Sequence, residues 1–228
     1  MMRNRTAAAL VAEGLGTFLF FFVGAGSVVL DTYLANEGVT GPGLLGVALA
    51  HGLSLAVLVS ALGAVSGGHF NPAVTLGVWI MGKITPMRAA LYVVVQLVAA
   101  LAAGFALKAV FGGWVTTSLG TPALGAGITP AVGIGVEAVL TALLVLAVIG
   151  TAVDPRGPKI GGLAIGLAVA ADILVGGPLT GAAMNPARWF GPAVAAGAYA
   201  DWYVWWIGPA IGAAAAALIY RSTLAEAP

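Results

Sequence analysis

Apolar residues run in long blocks along this chain instead of alternating with polar ones. Six blocks are long enough to cross a bilayer, at about residues 7–30, 43–64, 87–110, 130–151, 159–176 and 202–221. A helix needs roughly 20 such residues to span the hydrocarbon core. Helix-start chemistry punctuates them. Pro42, Pro86, Pro130 and Pro158 precede or open four blocks, Thr85 and Thr129 stand where N-caps belong, and Asp201 can cap the last. The first block is too long for a signal-peptide core and carries Glu13. Two more apolar stretches, about 71–80 and 185–196, are too short to span. At about 10 residues each they make only ~15 Å of helix. Irregular backbone at membrane depth survives only inside protein or along a wet cavity, so two half-helices imply a cavity.

The halves of the chain repeat one another. Glu13 and Thr17 stand four apart in the first span, as Glu137 and Thr141 do in the fourth. Asn71-Pro72-Ala73 follows in the first half and Asn185-Pro186-Ala187 in the second, and the run from Gln96 aligns with the run from Pro209. Repeat 1 covers about 7–110, a loop 111–129, and repeat 2 about 130–221, all within one domain of 228 residues. Each half holds three spans, an odd number, so the halves insert with opposite orientation. The expected fold is an all-α membrane protein with six transmembrane helices, two re-entrant half-helices and an inverted 3+3 repeat.

Composition agrees with a membrane solvent. The chain is 61% apolar and 7% charged, against about 25% charged in soluble domains. That excludes an ordinary soluble enzyme, a disordered regulator and an electrostatic nucleic-acid binder. With no cysteine and two histidines, no metal or other cofactor is expected. Charge then gives orientation. Arg3, Arg5, Lys83, Arg88, Arg156, Lys159 and Arg221 fall on one side if the N-terminus is cytoplasmic. Only Lys108 and Arg188 do not, so both termini are expected inside. The short tails point to a prokaryotic plasma membrane.

Asn before Pro is a helix-start signal, with Asn at the N-cap and Pro at the first helical position. The Asn oxygen then accepts a first-turn N–H, which leaves its NH₂ as a donor. Each half-helix adds about half a positive charge at its N-terminus. Two such ends meeting at mid-membrane favour an acceptor such as a water oxygen and repel cations. The approaches, Gly67-Gly68-His69-Phe70 and Gly181-Ala182-Ala183-Met184, offer backbone carbonyls that can line a single-file path. One such tripeptide is an ordinary turn; two at matching repeat positions imply a channel.

These strings resemble the aquaporins of the major intrinsic protein family over roughly residues 8–220. The resemblance rests on Ala-Glu-Gly-Leu-Gly-Thr-Phe at 12–18, Ser-Gly-Gly-His-Phe-Asn-Pro-Ala-Val-Thr at 66–75, Gly-Ala-Ala-Met-Asn-Pro-Ala-Arg at 181–188 and Trp-Ile-Gly-Pro-Ala-Ile-Gly at 206–212. It implies one pore per subunit and a homotetramer in the lipid bilayer, passing water and small neutral solutes such as ammonia. It also implies a four-residue filter. Counting from the two motifs places this filter at His51, Ile173, Ala182 and Arg188, a set similar to tonoplast-type aquaporins. Trp189, Ala193 and the Trp205-Trp206 pair depart from the glycerol-channel pattern. Trp189 also replaces the family's usual serine.

Glu13 and Glu137 read as acceptors for loop N–H groups behind the pore. Asp172 is expected to bind outer-loop backbone or the surroundings of Arg188. His51 is a candidate pore ligand; its protonation would add a second cation beside Arg188, whose charge favours the neutral ring, so pH gating is not expected. Three glycine pairs four residues apart, Gly63/Gly67, Gly162/Gly166 and Gly208/Gly212, are expected to let helices approach closely. A secondary transporter would need a coupling-ion site. An intramembrane enzyme would need motifs that the chain lacks.

Overall fold

A computed structural model describes residues 2–112 and 118–225, with side chains from residue 5. The Arg3 side chain and loop residues 113–117 lie outside the described residues. Eight helices appear in order among them: α1 (Met2–Asn36), α2 (Gly43–Ser66), α3 (Pro72–Ile80), α4 (Pro86–Phe111), α5 (Pro130–Val148), α6 (Gly161–Thr180), α7 (Pro186–Ala196) and α8 (Val204–Ile219). Six are long and apolar enough to cross a membrane, counting the π-wound final turns after α5 and α8. The other two, α3 and α7, are the expected half-helices.

Thr85 and Thr129 cap α4 and α5, their hydroxyls accepting from Arg88 N and Val132 N. Asp201 does not cap α8 with its side chain; the N-cap is Tyr203. Asp201 supplies its backbone carbonyl to Val204 N instead. The first span runs to Asn36, past its expected end. Beyond Leu30 it still has work to do, since Asp31 Oδ1 accepts from Gly43 N at 2.7 Å and ties α1 to the start of α2. The fifth span extends to Thr180 despite Pro178. A left-handed Gly181 then closes it, donating its N–H to Gly177 O.

Helix α1 packs on α2 and α4, as α5 packs on α6 and α8, and α2 meets α6 across the centre. Each half-helix rests on the third span of the other half: α7 on α4, and α3 on α8. Small residues allow these approaches. A Cβ on Gly52 would lie 2.6 Å from Gly166 O, and one on Gly208 would lie 2.8 Å from Ile134 O. The expected packing role holds for Gly162, Gly166, Gly208 and Gly212, each of which faces a neighbouring helix. It fails for Gly63 and Gly67. Gly67 is the left-handed end of α2, with φ 99° and its N–H on Gly63 O, so this pair ends a helix. Apolar side chains such as Val11, Leu15 and Val139 face outward, while the acidic residues Glu13 and Glu137 are fully buried. That is the polarity a bilayer solvent demands.

Candidate functional site

Each half-helix starts as its Asn-Pro predicts. Asn71 is extended, and its Oδ1 accepts from Ala73 N at 2.7 Å. Asn185 is extended in the same way, accepting from Ala187 N at 3.0 Å and Arg188 N at 3.3 Å. Pro72 and Pro186 sit at the first helical position, where no N–H is needed. Ala73 and Ala187 are buried beside them.

The two N-termini meet through a reciprocal exchange. Asn71 Nδ2 donates to Met184 O at 2.9 Å, and Asn185 Nδ2 donates to Phe70 O at 3.0 Å. One N–H of each carboxamide is therefore spent on the opposite loop. The second remains, and both asparagines line a common cavity. Gly68, His69, Ala183 and Met184 line it too, whereas Gly181 lines a second, adjoining cavity. Gly67 and Phe70 line neither. The Phe70 ring is fully buried in the space left by Gly16.

The loops before the asparagines hold strained backbone at non-glycine residues. Phe70, Ala182 and Met184 have φ of 48°, 45° and 52°, a conformation costing about 1–2 kcal/mol per residue. The buried acids hold Phe70 and Met184 there, while Ala182 N donates to the Thr180 hydroxyl at 3.2 Å. Glu13 accepts from His69 N at 2.9 Å, Phe70 N at 2.8 Å and the Ser66 hydroxyl at 2.6 Å. Glu137 repeats the set with Ala183 N at 2.9 Å, Met184 N at 2.7 Å and the Thr180 hydroxyl at 2.7 Å. Both acids thus accept from N–H groups of the loops before the asparagines.

Sequence reasoning missed the outer braces of these loops. Tyr92 Oη donates to Ser66 O at 2.7 Å, and Trp205 Nε1 donates to Thr180 O at 3.0 Å. Tyr92 and Trp205 stand four residues before the aligned Gln96 and Pro209, so the repeat register itself carried the signal. The halves then diverge. Gln96 Nε2 bridges Glu13 Oε2 at 2.8 Å and Thr75 Oγ1 at 3.1 Å, and Thr75 also meets His69 Nδ1. In the second half Trp189, at the position of Thr75, stacks on Trp205 at 5.6 Å with planes 8° apart. This stack is where the unusual tryptophan packs.

Arg188 is 5% exposed and lines both cavities together with His51 and Ile173. Ala182 lines the first. The four expected filter residues are thus gathered where the cavities adjoin. Arg188 Nη1 donates to Gly120 O at 2.9 Å, and Nε donates to His51 Nε2 at 3.2 Å. Among the described residues that uses two of the five guanidinium N–H groups. His51 Nδ1 lies 2.9 Å from Val47 O. A carbonyl only accepts, so Nδ1 carries the proton and Nε2 is the acceptor for Arg188. Both ring nitrogens are spent, so His51 holds Arg188 and offers no free hydrogen-bonding nitrogen to the cavity. Asp172 departs from expectation. It is 2% exposed, bonds neither the outer loop nor Arg188, and leaves Oδ2 unpartnered among the described residues. It sits one turn from Gly176, on the α6 face whose glycine abuts Leu140 of α5 and Ala182 of the loop before Asn185.

A family profile described as "Major intrinsic protein" matches residues 1–220. Aquaporin TIP4-4 of Zea mays is 49% identical over 215 residues, covering 93% of this chain and 84% of the relative. Aquaporin TIP2-1 of Arabidopsis thaliana is 43% identical over 216 residues, covering 93% and 85%. The X-ray structure of the aquaglyceroporin from Plasmodium falciparum superposes with a TM-score of 0.82 at 23% identity, covering 96% of this chain and 97% of that one. That last likeness is one of fold. The sequence relatives are plant proteins, which does not match the expected prokaryotic plasma membrane. Tail length limits what a tail can bind but carries no address for a particular membrane.

Proposed function

Because the chain belongs to the major intrinsic protein family, a family of membrane channels and not of enzymes, we propose that it conducts water and small neutral solutes such as ammonia. The observation that carries this reading is the reciprocal exchange between Asn71 and Asn185 at one cavity. Two helix N-termini and two spare carboxamide N–H groups face a passing oxygen there, and the same positive end repels cations and hydronium. Carbonyls on the Gly68–His69 and Ala183–Met184 approaches supply acceptors, so each molecule in file exchanges partners without leaving a hydrogen bond unmade.

The filter in this reading is His51, Ile173, Ala182 and Arg188. The unspent N–H groups of Arg188 are its donors, and its permanent charge is its barrier to cations. Ile173 and Ala182 are apolar walls that offer a solute no hydrogen bond. A neutral molecule with one lone-pair atom therefore meets the same donors as water, and ammonia fits that description. The functional unit is a homotetramer with one pore per subunit, built from repeats of about 7–110 and 130–221 joined by the 111–129 loop. Both termini are cytoplasmic, following the bias of Lys and Arg.

Vesicle flux of water, ammonia, urea and glycerol tests this reading. Water and ammonia are expected to cross faster than through protein-free lipid. Replacing Arg188 with Val is expected to loosen exclusion of larger solutes or protons. His51→Phe is expected to shift selectivity toward water. Unchanged profiles for both variants would contradict the filter assignment.

A further inference from the structure

We propose that Gly24, on α1, is a positioning residue of this channel's filter: its missing side chain gives the His51 ring the space from which it holds Arg188. The inference rests on the filter reading above and adds a residue that lines neither cavity.

A Cβ built on Gly24 would lie 2.5 Å from His51 Cδ2, 2.7 Å from Nε2 and 3.1 Å from Cγ. Its three nearest neighbours are thus all atoms of one imidazole. Other helix glycines in this fold serve another purpose. Gly52 and Gly208 face backbone carbonyls of a neighbouring helix, so they set how closely helices pack. Gly24 faces a functional ring.

That ring cannot move aside without loss. Its Nδ1 is held by Val47 O at 2.9 Å and its Nε2 by Arg188 Nε at 3.2 Å. Phe20, one turn before Gly24 on α1, meets its edge at 6.1 Å with planes 89° apart. Phe20 also lines the cavity. The ring is therefore bounded by α1 behind it, by Phe20 beside it and by Arg188 in front. A methyl group at residue 24 leaves one direction of escape, toward the cavity. Such a displacement narrows the constriction and removes the acceptor that orients the guanidinium. The cost is paid at the filter and not in helix packing, which makes it separable by a second substitution.

The test compares Gly24→Ala, His51→Ala and the double variant with the wild-type protein in vesicles. Fluxes of water and ammonia are normalised to the number of inserted, folded channels. Gly24→Ala alone is expected to lower both fluxes several-fold. In the His51→Ala background the same change is expected to alter them by less than roughly twofold, since no ring remains to disturb. Folding of the double variant when Gly24→Ala alone fails to fold would also support the assignment. Wild-type fluxes in Gly24→Ala, or equal losses in both backgrounds, would overturn it. So would failure of both Gly24→Ala proteins to fold, which would make residue 24 a packing position. Wild-type vesicles with no water flux would instead contradict the channel reading itself.

Discussion

A carboxylate taken out of water is costly unless its lone pairs find donors. Glu13 and Glu137 meet that condition with loop groups that themselves need acceptors. The arrangement explains why a left-handed Phe70 and a left-handed Met184 persist: each N–H is held by a fixed oxygen. Truncating Glu137 to Ala would strand the Ala183 and Met184 N–H groups and the Thr180 hydroxyl. At about 1–3 kcal/mol for each buried unpaired donor, a loss of several kcal/mol is expected. A large fall in the thermal midpoint of the purified channel, with loss of water flux, is the expected result. A midpoint like that of the wild type would show that the loop stands without its acid. Glu137→Gln keeps one acceptor oxygen and should fall between the two.

At the scale of elements, a clasp on one face joins the turn after α5 to the end of α8. Asp154 accepts from Arg156 Nε and Nη2 and from Tyr220 Oη at 2.8 Å, while Arg156 Nη2 also donates to Leu224 O at 2.9 Å. Hydrogen bonds from the Arg156 side chain and backbone, then from Tyr220, hold the Asp154 carboxyl well below the usual aspartate range. The sign follows from the depressed value. The contribution is full above the ordinary aspartate pKa of about 4 and is lost only as pH falls through the lower, folded-state value. Limited proteolysis after residue 220 should therefore be flat from neutral pH down to mildly acidic pH. Asp154→Asn should speed cleavage at neutral pH, and no change on that substitution would contradict the clasp.

Element existence was legible in the sequence for a simple reason. A span must be apolar along its whole length, and Asn-Pro or Thr-Pro states where a helix begins. The half-helices and the two loop acids were readable on the same grounds, since repeat register places them at matching depth. What lay hidden depends on which way a side chain turns. Neither Gly24 nor Gly120 has a side chain to signal its role, yet one borders His51 and the other gives Arg188 its carbonyl. Asp201 looked like a cap and contributes only its backbone. Asp172 stands next to the cavity residue Ile173 in sequence, but successive residues on a helix point about 100° apart, so adjacency did not place its carboxyl at the filter.

For the whole molecule, the two halves complete each other at the constriction. Each asparagine donates to the loop that precedes the other, and each half-helix packs on the opposite repeat. Neither half can present a finished constriction alone, so separate expression of either half should give no flux while co-expression restores it. The most direct test of the central claim is stopped-flow shrinkage of vesicles holding the purified, well-inserted protein under an osmotic gradient, with proton leak recorded in parallel. Water permeability well above that of protein-free vesicles, with proton leak unchanged, is the predicted result. Water permeability no greater than that of the bare lipid would contradict a conduit built on Asn71 and Asn185.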